Sequence, residues 1–95
     1  MTEARPAGAA FAVEQPWQLN PQVALRDESF GALAYHYGNR RLVFLKSRTL
    51  VDLVSSLDDY ASAAEALAAV VPAEQRTGYA RALARLAASG VIRAR

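Results

Sequence analysis

The sequence predicts a small α+β domain, a three-stranded antiparallel sheet followed by three helices. Three observations carry this. Residues 23–45 alternate with period two around a Gly-Asn pair, and after Thr49 the apolar residues recur at helical spacing instead. The chain, with 95 residues and 10.2 kDa, has room for one core. Strands first and helices second, in one unit, make two packed layers.

The chain begins loosely. Residues 1–19 hold Pro6, Gly8, Pro16 and several alanines, and read as a flexible tail. Trp17 and Leu19 stand out there, because a tryptophan seeks a large buried contact. The pair is expected to dock on the body. Glu3 and the short run Ala9–Val13 do not make a secretory signal, so the expectation is a cytoplasmic protein. The domain proper is expected over residues 20–95.

Val23 and Leu25 alternate with Ala24 and Arg26 as a first strand. Asp27-Glu28-Ser29 turns the chain, and Gly31–Tyr37 is the second strand. Gly38-Asn39 fits a two-residue type II′ hairpin loop. Arg40–Leu45 is the third strand, rich in residues that favour extended backbone. This hairpin sets Tyr37 opposite Arg40, Tyr35 opposite Leu42 and Leu33 opposite Phe44. The face shared by Leu33, Tyr35, Leu42 and Phe44 is expected to be the core side. Ala34, His36, Arg41, Val43 and Leu45 take the other.

Thr49 is expected to cap a helix reaching about Tyr60, with Leu50, Leu53, Val54, Leu57 and Tyr60 as its stripe. Ser62 with Glu65 forms a capping box for a short alanine-rich second helix, Ala63 to about Val70. Pro72 begins a third helix or sits just before it, and that helix ends near Ser89, with Gly90 as its C-terminal cap. Its apolar arc is Tyr79, Ala82, Leu83, Leu86 and Ala87. Arg81 and Arg85 are expected on the wet side. Gly78 within it costs about 1 kcal/mol against alanine, which suggests a close approach. Val91 and Ile92 give a short extended end.

Composition narrows function by what it lacks. The sequence has no cysteine and a single histidine, which removes thiolate chemistry and makes a histidine metal cage improbable. His36 has no serine or carboxylate at a motif spacing, and reads as a structural or solvated strand residue. Asp58-Asp59 does not form a facing pair, since adjacent helical residues point apart. No phosphate loop, H-E-x-x-H or G-x-S-x-G occurs. The expectation is therefore a protein without catalytic residues, metal or cofactor. No apolar run is long enough to cross a membrane.

The formal charge is +2, and all eleven bases but Lys46 are arginine. Arg40, Arg41, Lys46 and Arg48 cluster in one stretch. Arg76, Arg81 and Arg85 on the third helix invite a second reading, a small winged-helix DNA-binding domain. In such readers, however, the helices usually precede the hairpin.

The third strand is the most informative piece. It is an edge with consecutive apolar residues and no proline, features that proteins normally blunt. Its basic flanks, Arg40, Arg41 and Lys46, discourage self-association and favour an acidic visitor. An extended peptide could add here as a fourth strand. Arg41, Leu42, Val43, Phe44, Leu45 and Lys46 would be its partners, with proline at Val43 expected to remove a donor. Arg76, Tyr79, Ala80 and Leu83 of the third helix would wall the groove. The edge could instead be masked by the tail around Trp17 or by a second copy of the chain.

The stretch F-G-A-L-A-Y-H-Y-G-N-R-R-L-V-F-L-K-S, Phe30 to Ser47, resembles a known family. Together with T-L-V-D-L-V-S-S-L and the later L-A-R-L-A-A-S-G-V-I, it is similar to the mycofactocin-system peptide chaperones. These belong to the RiPP recognition elements, the group that includes the pyrroloquinoline-quinone peptide chaperone. The likeness runs from about Asn20 to Arg93. The pyrroloquinoline-quinone type carries a Leu-Asn signature entering its first helix. This chain has Lys46-Ser47-Arg48-Thr49-Leu50 there, which points to the mycofactocin branch. The resemblance implies a winged-helix-like fold and a non-catalytic chaperone. It implies that the leader of a ribosomally made precursor peptide pairs with the third strand, Arg41 to Lys46, against the third helix. It further implies delivery to a radical S-adenosylmethionine maturase.

Overall fold

Alternation over residues 23–45 does produce the sheet. A computed structural model describes residues 10–95. Strands β2 (Val23–Glu28), β3 (Gly31–His36) and β4 (Leu42–Leu45) form an antiparallel meander in that order. Trp17–Leu19 is a further strand, β1, and pairs antiparallel with β5 (Ile92–Ala94) in a separate two-stranded ribbon. Of the expected tail, residues 1–9 lie outside the described residues. The segment after them packs down. Trp17 is 3% exposed, stacks near Phe11 and donates its indole N–H to the Ala12 carbonyl at 2.9 Å. The carbonyls of Val13 and Gln15 accept the amides of Ala64 and Ala63.

The β3–β4 register matches the expected one, with Tyr35 opposite Leu42 and Leu33 opposite Phe44. The turn that sets it does not. The loop holds four residues, Tyr37–Arg40, and Arg40 closes it with φ of 62°. Its amide reaches the His36 carbonyl at 2.7 Å, while the Tyr37 amide bonds Gln22 on the β2 side. Two-residue and four-residue loops centred on the same point give the same pairing.

The core side is the reverse of the expected one. Ala32, Ala34, His36 and Leu45 are buried, whereas Leu42 is 55% and Phe44 54% exposed, with Leu33 and Tyr35 half-buried. The helices approach the sheet closely enough that alanines fill the contact. Close packing, rather than side-chain size, decides which face goes inward.

Helix α1 (Arg48–Ser56) is capped by Ser47, not Thr49. The Ser47 hydroxyl accepts the Leu50 amide at 3.0 Å. A 3-10 turn at Leu57–Asp59 follows. Val51 joins Leu53, Val54 and Leu57 in the core, a residue the stripe reading left out. Helix α2 (Ala63–Val70) has the expected Ser62 cap, which accepts the Glu65 amide. Helix α3 (Arg76–Ala88) follows a 3-10 turn at Ala73–Gln75. It ends in a Schellman arrangement: Val91 bonds back to Leu86, and Gly90, with φ of 83°, to Ala87. Gly78 faces open space, so it serves no close approach.

Candidate functional site

The free border of β4 is where the sheet stops. Among the described residues β4 pairs only with β3. Which of its backbone groups are spoken for follows from the ladder. The His36 amide bonds the Arg41 carbonyl at 2.9 Å, and the Tyr37 amide bonds Gln22 at 2.8 Å. Even positions of β3 therefore bond to β4 and odd ones to β2. Antiparallel pairs alternate between bonded and non-bonded. Val43 and Leu45 thus exchange bonds with Ala34 and Ala32, while Leu42 and Phe44 aim their N–H and C=O groups outward, away from β3.

Beside this border lies a groove of about 280 Å³ lined by Val43, Phe44, Leu50, Ala82, Arg85, Leu86 and Ser89. Its floor joins β4, the start of α1 and the C-terminal half of α3. That volume is just below the usual range for a ligand pocket, and suits a few side chains from an extended chain. Arg85 is the groove's one charged residue. It is exposed, and among the described residues it makes no ion pair.

The structure brings together only some of the residues the sequence singled out. Val43 and Phe44 line the groove and Leu42 does not, with exposed Arg41 and Lys46 at the strand's two ends. Leu45 and Leu83 are fully buried in the core and do not line the groove. Arg76 lies apart. Its guanidinium donates to the carbonyls of Val71 at 2.8 Å and Ala68 at 3.1 Å, bracing α2 against α3. Tyr79 meets the Ser47 hydroxyl at 2.9 Å and ties α3 to the α1 cap. Ala80 is half-buried against the core. The α3 wall is instead Ala82, Arg85, Leu86 and Ser89. Heptad reasoning could have found this: Ala82, Leu86 and Ser89 follow i, i+4, i+7, with Arg85 three after Ala82 and four before Ser89 at the rim.

His36 is a structural residue. Its Nδ1 accepts the amides of Gly38 at 3.0 Å and Asn39 at 3.2 Å, pinning the hairpin loop. Asn20 sits against it, 3.4 Å from Nε2, and donates to the Gly90 carbonyl at 3.0 Å. Among the described residues no group of three or more His, Cys, Asp or Glu could hold a metal ion. No described helix is long and apolar enough to cross a membrane.

Comparison with known proteins finds relatives of the chain. The protein-family model for the peptide chaperone MftB family matches residues 16–93. The chain is 47% identical over 83 residues to the peptide chaperone MftB of Mycolicibacterium smegmatis, covering 86% of this chain and 81% of that protein. It is 46% identical over 88 residues to the peptide chaperone MftB of Mycobacterium ulcerans, covering 90% and 81%. Its namesake from Mycobacterium tuberculosis is 50% identical over 56 residues, 59% of this chain and 51% of that protein. No solved structure matches the chain.

Proposed function

From the fact that the chain belongs to the peptide chaperone MftB family, a non-catalytic family of mycofactocin biosynthesis, we propose how it holds its peptide. The leader of the precursor peptide adds as a strand along the free border of β4. Its alternate side chains enter the groove between β4 and α3. The observation that carries this reading is the pair of outward-facing peptide units at Leu42 and Phe44, on the strand whose Val43 and Phe44 line an apolar groove.

The energetics fit a reversible handover. A disordered leader loses conformational entropy on docking. Backbone bonds to Leu42 and Phe44 return part of that, each worth about 0.5–1.5 kcal/mol net. Apolar side chains against Val43, Leu50 and Leu86 supply more, at about 25 cal/mol per Å² removed from water. An acidic leader residue meets Arg85. The chaperone then presents the leader to a radical S-adenosylmethionine maturase, where tethering raises the local concentration of the peptide's reacting segment.

Calorimetric titration of the full chain with a synthetic leader peptide tests this. Phe44→Pro deletes an amide that β3 does not use. It is expected to weaken binding sharply while circular dichroism stays native. Unchanged affinity in a folded Phe44→Pro variant would sink the strand-addition reading.

A further inference from the structure

The inward face of the sheet is closed by helices, but the outward face is not. Leu33, Tyr35, Leu42 and Phe44 share it by register. Phe30, 41% exposed, extends it from the β2–β3 turn, with its ring 5.7 Å from that of Phe44. A shallow hollow of about 330 Å³ runs across the same surface, over Ala24, Arg26, Leu33, Tyr35 and Leu42. Single exposed apolar residues need no explanation, but a contiguous patch on a chain this small marks an interaction surface.

Charge narrows the occupant. The strands' outward face carries one carboxylate, Glu28, and Arg26 already holds it at 2.9 Å. Around the hairpin and the strand end lie Arg40, Arg41 and Lys46, all exposed and none in an ion pair among the described residues. A second copy of the chain would set these bases against their own kind. The complementary surface is a protein patch with an apolar centre and carboxylates at its border.

We propose that this outward face is a second docking surface, for a partner protein of that chemistry, and that a peptide added to β4 becomes part of it. The second clause rests on the strand-addition reading above. A guest strand lies about 4.8 Å from β4 and alternates its side chains between faces. One set enters the groove. The other set lies beside Leu42 and Phe44 on the outward face, so the partner touches chaperone and peptide together. Peptide and partner then strengthen each other's binding by the same factor, with no conformational change required.

The maturase and a synthetic leader peptide are the probes. Maturase affinity is measured by biolayer interferometry with and without saturating leader, for the wild-type chain and for Phe30→Glu and Tyr35→Glu. Both substitutions change side chains on the outward face, outside β4, and leave the β4 backbone in place. Saturating leader is expected to tighten the wild-type complex at least fivefold. Each variant is expected to weaken maturase binding at least tenfold while holding leader affinity within threefold. Wild-type maturase affinity in both folded variants overturns the second surface. So does concentration-dependent dimerisation of the wild type that Phe30→Glu abolishes. Loss of the leader's tightening effect, with the variants still defective, overturns the shared surface alone. Leader titration against Phe44→Pro, run without maturase, reports separately whether strand addition itself has failed.

Discussion

Along its free margin β2 carries Arg26, Asp27 and Glu28, whereas β4 carries Leu42, Val43, Phe44 and Leu45, with its charges moved out to Arg41 and Lys46. Both strands border the same sheet, and both leave alternate peptide units unpaired among the described residues. The β2 margin is blunted in the usual way, by charged side chains and an Arg26–Glu28 pair across its own face. The β4 margin is not blunted, only flanked. Self-pairing is discouraged at the two ends while the middle stays open. Under the proposed strand addition, one border resists visitors and the other selects them.

The largest expected effect separates what holds the β4 margin in place from what it offers. Leu45 is fully buried and Leu42 is 55% exposed, three residues apart on one strand. Leu45→Ala is expected to lower unfolding stability by about 2–5 kcal/mol, and Leu42→Ala by about 0.5 kcal/mol or less. Urea unfolding reads both. Equal costs would mean that β4 is anchored by both faces and that its outward side is not spare.

Next comes the margin itself. Phe44→Pro is expected to cost about 2 kcal/mol of leader binding, roughly thirtyfold in Kd, from one lost bond and a misfitted ring. Asp27→Pro makes the equivalent deletion on β2, where the amide also points away from β3. It is expected to change leader affinity less than about twofold. A similar loss in both would mean that the two margins are equivalent. Val43→Pro is not a clean probe, because the Val43 amide belongs to the bonded pair with Ala34, so that substitution attacks the fold.

A smaller effect tests the groove wall. Arg85→Glu is expected to weaken an acidic leader about tenfold at low salt, with the difference shrinking toward 1 M salt as the Debye length falls to about 3 Å. Arg81→Glu, one turn earlier on the exposed side of α3, is expected to change little. Titrations at two ionic strengths compare them.

These contrasts also mark what the residues alone disclose. The β3–β4 register was legible because the pairing depends only on the loop's midpoint, so a four-residue loop and Gly38-Asn39 alone predict the same partners. The edge status of β4 was legible from strand order. The inward face was not, because Leu33, Tyr35, Leu42 and Phe44 are larger and more apolar than Ala32 and Ala34. Only the helices' close approach makes alanine the better filler. That same inversion leaves large apolar side chains outside. The groove wall was half legible. The arc Tyr79, Ala82, Leu83, Leu86 and Ala87 does turn inward, but one arc serves two neighbours. Leu83 and Ala87 meet the core, while Ala82 and Leu86 reach the groove. Arg85 sits at the border between wet and dry, a distinction of a few tens of degrees that helical periodicity does not resolve. Ser47 was missed as a cap because Thr49 offers the same chemistry two residues later.

Ser47 yields the smallest prediction and the one that joins the open margin to the rest of the molecule. Its hydroxyl accepts the Leu50 amide at the start of α1 and meets the Tyr79 hydroxyl of α3 at 2.9 Å, just past the end of β4. Ser47→Ala removes both contacts and is expected to cost about 1 kcal/mol, the usual loss for a helix cap. Tyr79→Phe removes one and is expected to cost less. The double variant should lose less than the sum, because the two single changes delete a shared bond. Leader affinity should move by less than about threefold in all three. β4 remains paired to β3, and the outward peptide units at Leu42 and Phe44 do not depend on the cap. A larger loss of affinity would show that the margin is held in register by α1 and α3 rather than by the sheet, and β4 would then differ from β2 in its support as well as in its side chains.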